Sequence, residues 1–111
     1  MMTKYNSKKV TVNGITFDSR KEANYYCELV MAQAGGHVKS FDMQVPFELQ
    51  PPYVDANGKK VRAIKYIADF VVEYQDGHKE VIDVKGFRTD VYQLKQKMFG
   101  YKFPGLVIKE V

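Results

Sequence analysis

The 111-residue sequence has few of the residues that build disulfide frameworks and zinc sites. It has one cysteine, Cys27, and two histidines. A single cysteine excludes an internal disulfide and is typical of a reducing compartment, so we expect a cytoplasmic protein. Three such residues are too few for a typical structural zinc site. No apolar run approaches the roughly 20 residues of a membrane-spanning helix, and the N-terminal segment lacks the apolar core of a secretory signal. We therefore expect no membrane partner.

The excess of positive charge is also small. The 17 lysines and arginines exceed the 13 aspartates and glutamates by a net charge of +4, which permits a polyanionic partner without requiring one. Only three of the basic residues are arginines, and lysine suits contact with phosphates better than reading of bases. Hydrophobic residues make up 45% and charged residues 27%, as in an ordinary globular domain. If the partner is a nucleic acid, we expect recognition of its shape and backbone.

The first third of the chain carries clear signals for a hairpin and a helix. Asn13-Gly14 between two β-rich triplets predicts a two-residue hairpin turn. Ser19 and Glu22 match a capping box, in which the serine caps a helix and the glutamate occupies its third position. Apolar residues at helical spacing follow as far as Gly35, which ends the predicted helix.

The remaining elements predict the fold class. Alternating apolar residues indicate strands over 38–49, 61–74 and 79–85, then a helix over 90–99 and a strand over 106–111. This order gives an α/β fold, with an α-β-β-β-α-β core whose central mixed sheet is flanked by helices. We expect a single domain of residues 1–111, in which residues 1–18 form an N-terminal hairpin and 19–111 the core.

Two apolar stripes indicate which side chains form the core. Along the first long strand, alternation places five residues on one face, with an interruption near Pro46: Phe41, Met43, Val45, Phe47 and Leu49. On the second helix, which Gly100 closes, three residues are predicted to face inward: Val91, Leu94 and Met98.

Two central strands each carry a carboxylate within an apolar run, at Asp69 and Asp83. If Asp76-Gly77 formed a two-residue turn between these strands, the carboxylates would point to opposite faces. If Gln75, Asp76 and Gly77 instead form a three-residue loop with a left-handed glycine, Asp69 stands directly across from Asp83. Glycine at the third loop position favours the second alternative.

Opposed carboxylates repel each other, which favours a cation between them. Oxygen ligands without a histidine or cysteine cluster favour Mg²⁺ or Mn²⁺. Glu22 lies at the shoulder of the buried helical stripe, so we expect it to supply a third carboxylate. Two other interpretations stay open: Glu22 is only a capping residue, or Asp83 and Lys85 form an ion pair on a solvated face.

These residues resemble a known pattern. A glutamate on an early helix, then "ADF", then "DVK" one hairpin later resembles the PD-(D/E)XK nuclease superfamily. The order α-β-β-β-α-β, over Ser19 to Val111, resembles the restriction-endonuclease-like core of that superfamily. The segments "FDSRKEANYY", "YIADFVV", "VIDVKG" and "FPGLVIKEV" resemble a small phage-encoded domain family. That family is similar to phage endonuclease I, a Holliday-junction resolvase of the same superfamily. Ala68 stands where the superfamily has proline, and Asp83 where glutamate is more frequent.

The resemblance implies a role for each residue in metal-dependent phosphodiester hydrolysis. Asp69 would bind or bridge the metal ions, and Asp83 with the carbonyl of Val84 would complete one metal site. Glu22 would hold a second ion or its water, and Lys85 would orient the attacking water or help to deprotonate it. The implied cofactor is Mg²⁺ or Mn²⁺.

The resemblance also implies partners. Branched DNA is the expected substrate, and a homodimer is expected because a four-way junction needs two symmetric cuts. Six basic residues would follow the DNA backbone: Lys8, Lys9, Lys21, Arg88, Lys95 and Lys97. A nuclease of the same fold acting on linear DNA is one alternative. The other is a non-catalytic DNA-binding or phage assembly module.

Overall fold

The computed structural model describes residues 8–84 and 88–111, and its elements follow the predicted order. An N-terminal hairpin pairs β1 with β2 through positive-φ Asn13-Gly14. The bounds are β1 Val10–Val12, β2 Ile15–Phe17, α1 Arg20–Ala34, β3 Val38–Gln50, β4 Tyr53–Val54, β5 Lys60–Val61, β6 Ile64–Tyr74, β7 Lys79–Asp83, α2 Asp90–Lys102 and β8 Ile108–Glu110. The predicted α/β class, with a central mixed sheet, two helices and an N-terminal hairpin, is confirmed.

The central sheet has the strand order β3-β6-β7-β8. The pairs β3·β6 and β6·β7 are antiparallel, and β7·β8 is parallel, so the sheet is mixed. β3 continues through Pro46, which pairs with Ile67, so the proline itself does not interrupt the strand. β3 lies at the edge of the sheet, where the missing N–H of a proline is tolerated.

The two helices pack on opposite faces of the sheet. Val81 belongs to the cluster that includes residues of α2, whereas its neighbour Ile82 belongs to the cluster that includes residues of α1. Successive strand residues point to opposite faces, so each helix covers one face. We call these the α1 side and the α2 side. Among the described residues, no helix is long and apolar enough to cross a membrane.

The second helix is longer than predicted and is rotated about its axis. It passes through Gly100 to Lys102, because Phe103 beyond it packs on Phe99 with ring centroids 5.1 Å apart. Tyr92 and Phe99 are buried, whereas Val91 and Leu94 are 63% and 60% exposed, so the prediction that the latter two face inward is wrong. Tyr92 and Phe99 face the core in place of Val91 and Leu94, because each aromatic ring buries more apolar area than an aliphatic side chain.

The strands β3 and β6 exchange faces midway along their length. In β6, Ala68 belongs to the α2-side cluster but Phe70 to the α1-side cluster. In β3, Met43 packs on the α1 side but Phe47 on the α2 side, so the predicted single apolar face of β3 is wrong. Gln44 lies at this point with φ +53°. A left-handed residue interrupts the alternation that a regular strand imposes.

Candidate functional site

The site is built around Glu22, in the first turn of α1. The hydroxyl of Ser19 accepts a 3.1 Å hydrogen bond from the Glu22 backbone N–H, which is half of the predicted capping box. The Glu22 side chain itself is only 7% exposed. It lines a pocket of about 270 Å³ between the hairpin, α1 and β3, which Asp18 also lines. Glu22 is therefore both a capping-box residue and a pocket carboxylate.

Gln44 joins Glu22 to Asp69. Its Nε2 donates to Oε2 of Glu22 at 3.1 Å and to Oδ1 of Asp69 at 3.4 Å. The left-handed backbone of Gln44 turns its side chain out of the regular alternation of β3 at this point. The sequence carries no signal for this role, because a glutamine in an alternating strand is typical of a solvated face.

The two carboxylates carry more negative charge than their surroundings compensate. The pKa of Glu22 is raised to about 7, first by burial and then by the charge of Asp69, while a hydrogen bond with the backbone of Asp18 opposes the rise. A buried carboxyl beside another is stabilised by a proton or a cation. This pocket therefore favours the binding of positive charge.

Asp69 also ties the pocket to the end of β7. Its Oδ2 accepts a 2.7 Å hydrogen bond from the backbone N–H of Val84. The β6·β7 register pairs Phe70 with Ile82 and Val71 with Val81, and Gly77 has φ +92°. The predicted three-residue loop is confirmed, and the register of β6 and β7 is the one predicted with it.

Asp83 points away from this pocket, although the register is the predicted one. Its Oδ2 accepts a 2.6 Å hydrogen bond from the hydroxyl of Tyr66, which belongs to the α2-side cluster. Asp69 instead turns toward Glu22, because β6 exchanges faces at this residue. The expectation that Glu22, Asp69 and Asp83 share one pocket is therefore not met by Asp83. Lys85 lies outside the described residues.

The six predicted DNA-contacting residues are dispersed. Lys8 and Lys21 are exposed on the N-terminal side, and Lys9 forms a 3.0 Å ion pair with Asp18. Arg88 pairs with Glu110 at 3.2 Å. Lys95 and Lys97 lie on α2, which covers the face of the sheet opposite to Glu22. These six residues do not form one continuous surface around the pocket.

The residues present fit a hard divalent cation in part. Glu22 and Asp69 supply carboxylate oxygens of the kind that Mg²⁺ and Mn²⁺ prefer, whereas Gln44 presents its amide N–H groups to both carboxylates. Within residues 8–84 and 88–111, no three acidic, histidine or cysteine side chains are grouped so as to hold a metal ion. Two carboxylates of the predicted set are assembled, and a third is displaced.

A family model described as "Protein of unknown function (DUF1064)" matches residues 2–111, nearly the whole chain. No curated protein matches the sequence.

Proposed function

The chain belongs to the DUF1064 family, and we propose that it is a divalent-metal-dependent deoxyribonuclease that hydrolyses phosphodiester bonds in branched DNA. One observation carries the proposal. Glu22 and Asp69, which are far apart in sequence, are bridged by the side-chain amide of Gln44, and the pKa of Glu22 is raised to about 7 by burial and by the charge of Asp69. Elements that differ in sequence and type thus concentrate negative charge where the resemblance to the PD-(D/E)XK superfamily expects the ion.

The chain's residues take distinct parts in this proposal. Glu22 and Asp69 would hold Mg²⁺ or Mn²⁺, and the carbonyl of Val84, whose backbone N–H donates to Asp69, would complete the set. The ion, when bound, lowers the pKa of a water and stabilises charge on the phosphate. Lys85 orients the attacking water. Asp83 joins the site only after its carboxylate leaves Tyr66.

The position of Asp83 favours a second candidate function. Asp83 is 1% exposed, and its carboxylate accepts a hydrogen bond from the Tyr66 hydroxyl. Both features are typical of a structural carboxylate. A domain that keeps this arrangement would be a non-catalytic DNA-binding or phage assembly module. Such a module would keep the negative pocket without cleaving DNA.

The proposed substrate implies an assembly. A four-way junction is resolved by two symmetric cuts, and one chain carries one candidate site, so we propose that a homodimer acts on the junction in the host cytoplasm. A nuclease of the same fold acting on linear DNA would not need this symmetry.

A cleavage assay tests the proposal. The wild-type protein is incubated with a four-way junction, a flap and a linear duplex, with Mg²⁺ and with EDTA. We expect Mg²⁺-dependent cleavage of the junction that is lost in Asp69→Asn and in Asp83→Asn. Asp42→Asn, which changes an exposed aspartate in β3, is the matched control and should cleave as the wild type does. Equal cleavage of duplex and junction would favour the linear-DNA nuclease.

Calorimetric titration with Mg²⁺ and Mn²⁺ separates the two candidate functions. Binding that Glu22→Gln and Asp69→Asn each abolish, while Asp42→Asn keeps it, supports the metal centre. Metal binding with no cleavage of any substrate, or no binding at all, would leave the non-catalytic module as the better assignment.

A further inference from the structure

A short two-stranded arm extends from the end of the sheet. Residues 51–63 contain β4 and β5, which pair only with each other among the described strands, and we call them the basic arm. The side chain of Gln50 braces its base through 3.4 Å hydrogen bonds to the carbonyl oxygens of Pro51 and Arg62. Tyr53 and Val54 are 51% and 62% exposed. The arm therefore presents both of its faces to a partner.

The basic arm holds a large share of the chain's positive charge. It contains Lys59, Lys60 and Arg62 against a single acidic residue, Asp55. This difference of +2 is half of the net charge of +4, although the arm is only 13 of 111 residues long. The excess of charge is thus local.

The charge on the basic arm is not neutralised by the fold. None of its three basic side chains forms an ion pair within residues 8–84 and 88–111. By contrast, Lys9 and Arg88 are each paired with a carboxylate. Exposed cations without a carboxylate partner are available to bind phosphates.

The tip of the basic arm is held in one conformation. Oδ1 of Asp55 accepts 2.9 Å hydrogen bonds from the backbone N–H groups of Asn57 and Lys59. Gly58 at φ +79° completes the turn. The one carboxylate of the arm is therefore engaged with its own backbone, and ordering the tip costs little when a partner binds.

The register orients the two strands of the ribbon. Val54 pairs with Lys60 and Tyr53 with Val61, so Val54 and Lys60 share one face, and Tyr53 and Val61 share the other, because side chains alternate along a strand. Lys59 and Arg62 flank β5 on either side and are both exposed. The three cations of the arm thus lie within four consecutive exposed or half-buried residues.

We propose that the basic arm binds the phosphate backbones of duplex DNA by lying in a groove. Two strands about 4.8 Å apart with their side chains fit a major groove about 12 Å wide, and β-ribbons are known to occupy grooves. Two lysines and one arginine favour backbone contact over base reading. This inference rests on the DNA partner of the proposed function but not on catalysis.

Binding measured in EDTA, where no cleavage occurs, tests the arm. A labelled linear duplex is titrated with wild type and with the triple variant Lys59→Gln/Lys60→Gln/Arg62→Gln at several salt concentrations. Three lost phosphate contacts should flatten the slope of log K against log salt by about 2 to 3 and weaken binding by about tenfold or more. Melting curves should coincide, because the three side chains are exposed.

The matched control removes three exposed cations distant in sequence from the arm, through Lys39→Gln/Lys79→Gln/Lys109→Gln, and should bind as the wild type does. An unchanged slope in the arm variant would overturn the inference. So would arm-dependent binding to phosphatidylserine vesicles by a protein that ignores DNA. Arm-dependent binding by a protein that cleaves neither the junction, the flap nor the duplex in Mg²⁺ would uphold the arm and refute the nuclease. Cleavage of DNA by the wild type, combined with normal binding by the arm variant, would uphold the nuclease and refute the arm.

Discussion

The hydroxyl of Tyr66 donates a 2.6 Å hydrogen bond to Oδ2 of Asp83 on the α2 side of the sheet. Burial raises the pKa of Tyr66, and Asp83 raises it further as acceptor and as charge. The phenol therefore stays protonated and remains a donor at every pH at which the protein is used. This bond holds Asp83 on the α2 side of the sheet, apart from Glu22 and Asp69.

Tyr66→Phe removes this donor without changing the ring. Asp83 is buried, so the lost hydrogen bond leaves a charged acceptor poorly satisfied, and we expect the free energy of unfolding to fall by about 1 to 3 kcal/mol. Urea denaturation measures this loss. Tyr101→Phe, at a side chain that is 91% exposed, is the control and should leave stability unchanged. Equal stability of Tyr66→Phe and wild type would mean that the bond does not anchor Asp83.

The β6·β7 register was predictable from the sequence, but the directions of its two carboxylates were not. A glycine at the third loop position marks a left-handed residue, and Gly77 has φ +92°, so turn chemistry set the register. The exchange of faces depends on Gln44, a residue type that does not mark positive φ. Regular alternation along β6 therefore predicts the wrong side of the sheet for Asp69. It predicts the correct side for Asp83, because Asp83 belongs to the regular strand β7.

The raised pKa of Glu22 predicts a pH dependence of stability. The unfolded carboxyl titrates near 4.5 and the folded one near 7, so the folded state binds the proton more tightly. Stability is greatest below about pH 4.5 as far as this group is concerned, falls between pH 4.5 and 7, and stays lower above pH 7. Glu22→Gln removes this pH dependence. We expect the free energy of unfolding of this variant to be about 2 to 3 kcal/mol higher than that of wild type at pH 8.

The comparison is made by urea denaturation at pH 5 and pH 8. The difference between Glu22→Gln and wild type should be small at pH 5 and large at pH 8. Glu28→Gln, on an exposed side chain of the same helix, should show no such change between the two pH values. A difference that does not grow with pH would show that burial and Asp69 do not raise the pKa of Glu22 in the folded protein.

The rotation of α2 gives a prediction about the core. Phe99 is 1% exposed and packs edge-on against Phe47 at 5.0 Å between ring centroids. Phe99→Ala should cost about 3 to 5 kcal/mol, whereas Leu94→Ala, on the exposed stripe, should change stability by less than about 0.5 kcal/mol. Thermal unfolding of the two variants measures the contrast. A large loss in Leu94→Ala would restore the inward face that its apolar spacing suggests.

Gln44 provides the last prediction, because its backbone and side chain can be separated. Asparagine tolerates the left-handed region. Its side chain is one methylene shorter, so its amide loses the hydrogen bonds to Glu22 and Asp69. We expect Gln44→Asn to cost about 1 to 2 kcal/mol at pH 8, where Glu22 is charged, and less at pH 5. Gln44→Gly, which has no side chain and adopts positive φ freely, should lose a similar amount with the same pH dependence. Full stability of both variants at pH 8 would mean that the Gln44 amide does not stabilise the carboxylate pair.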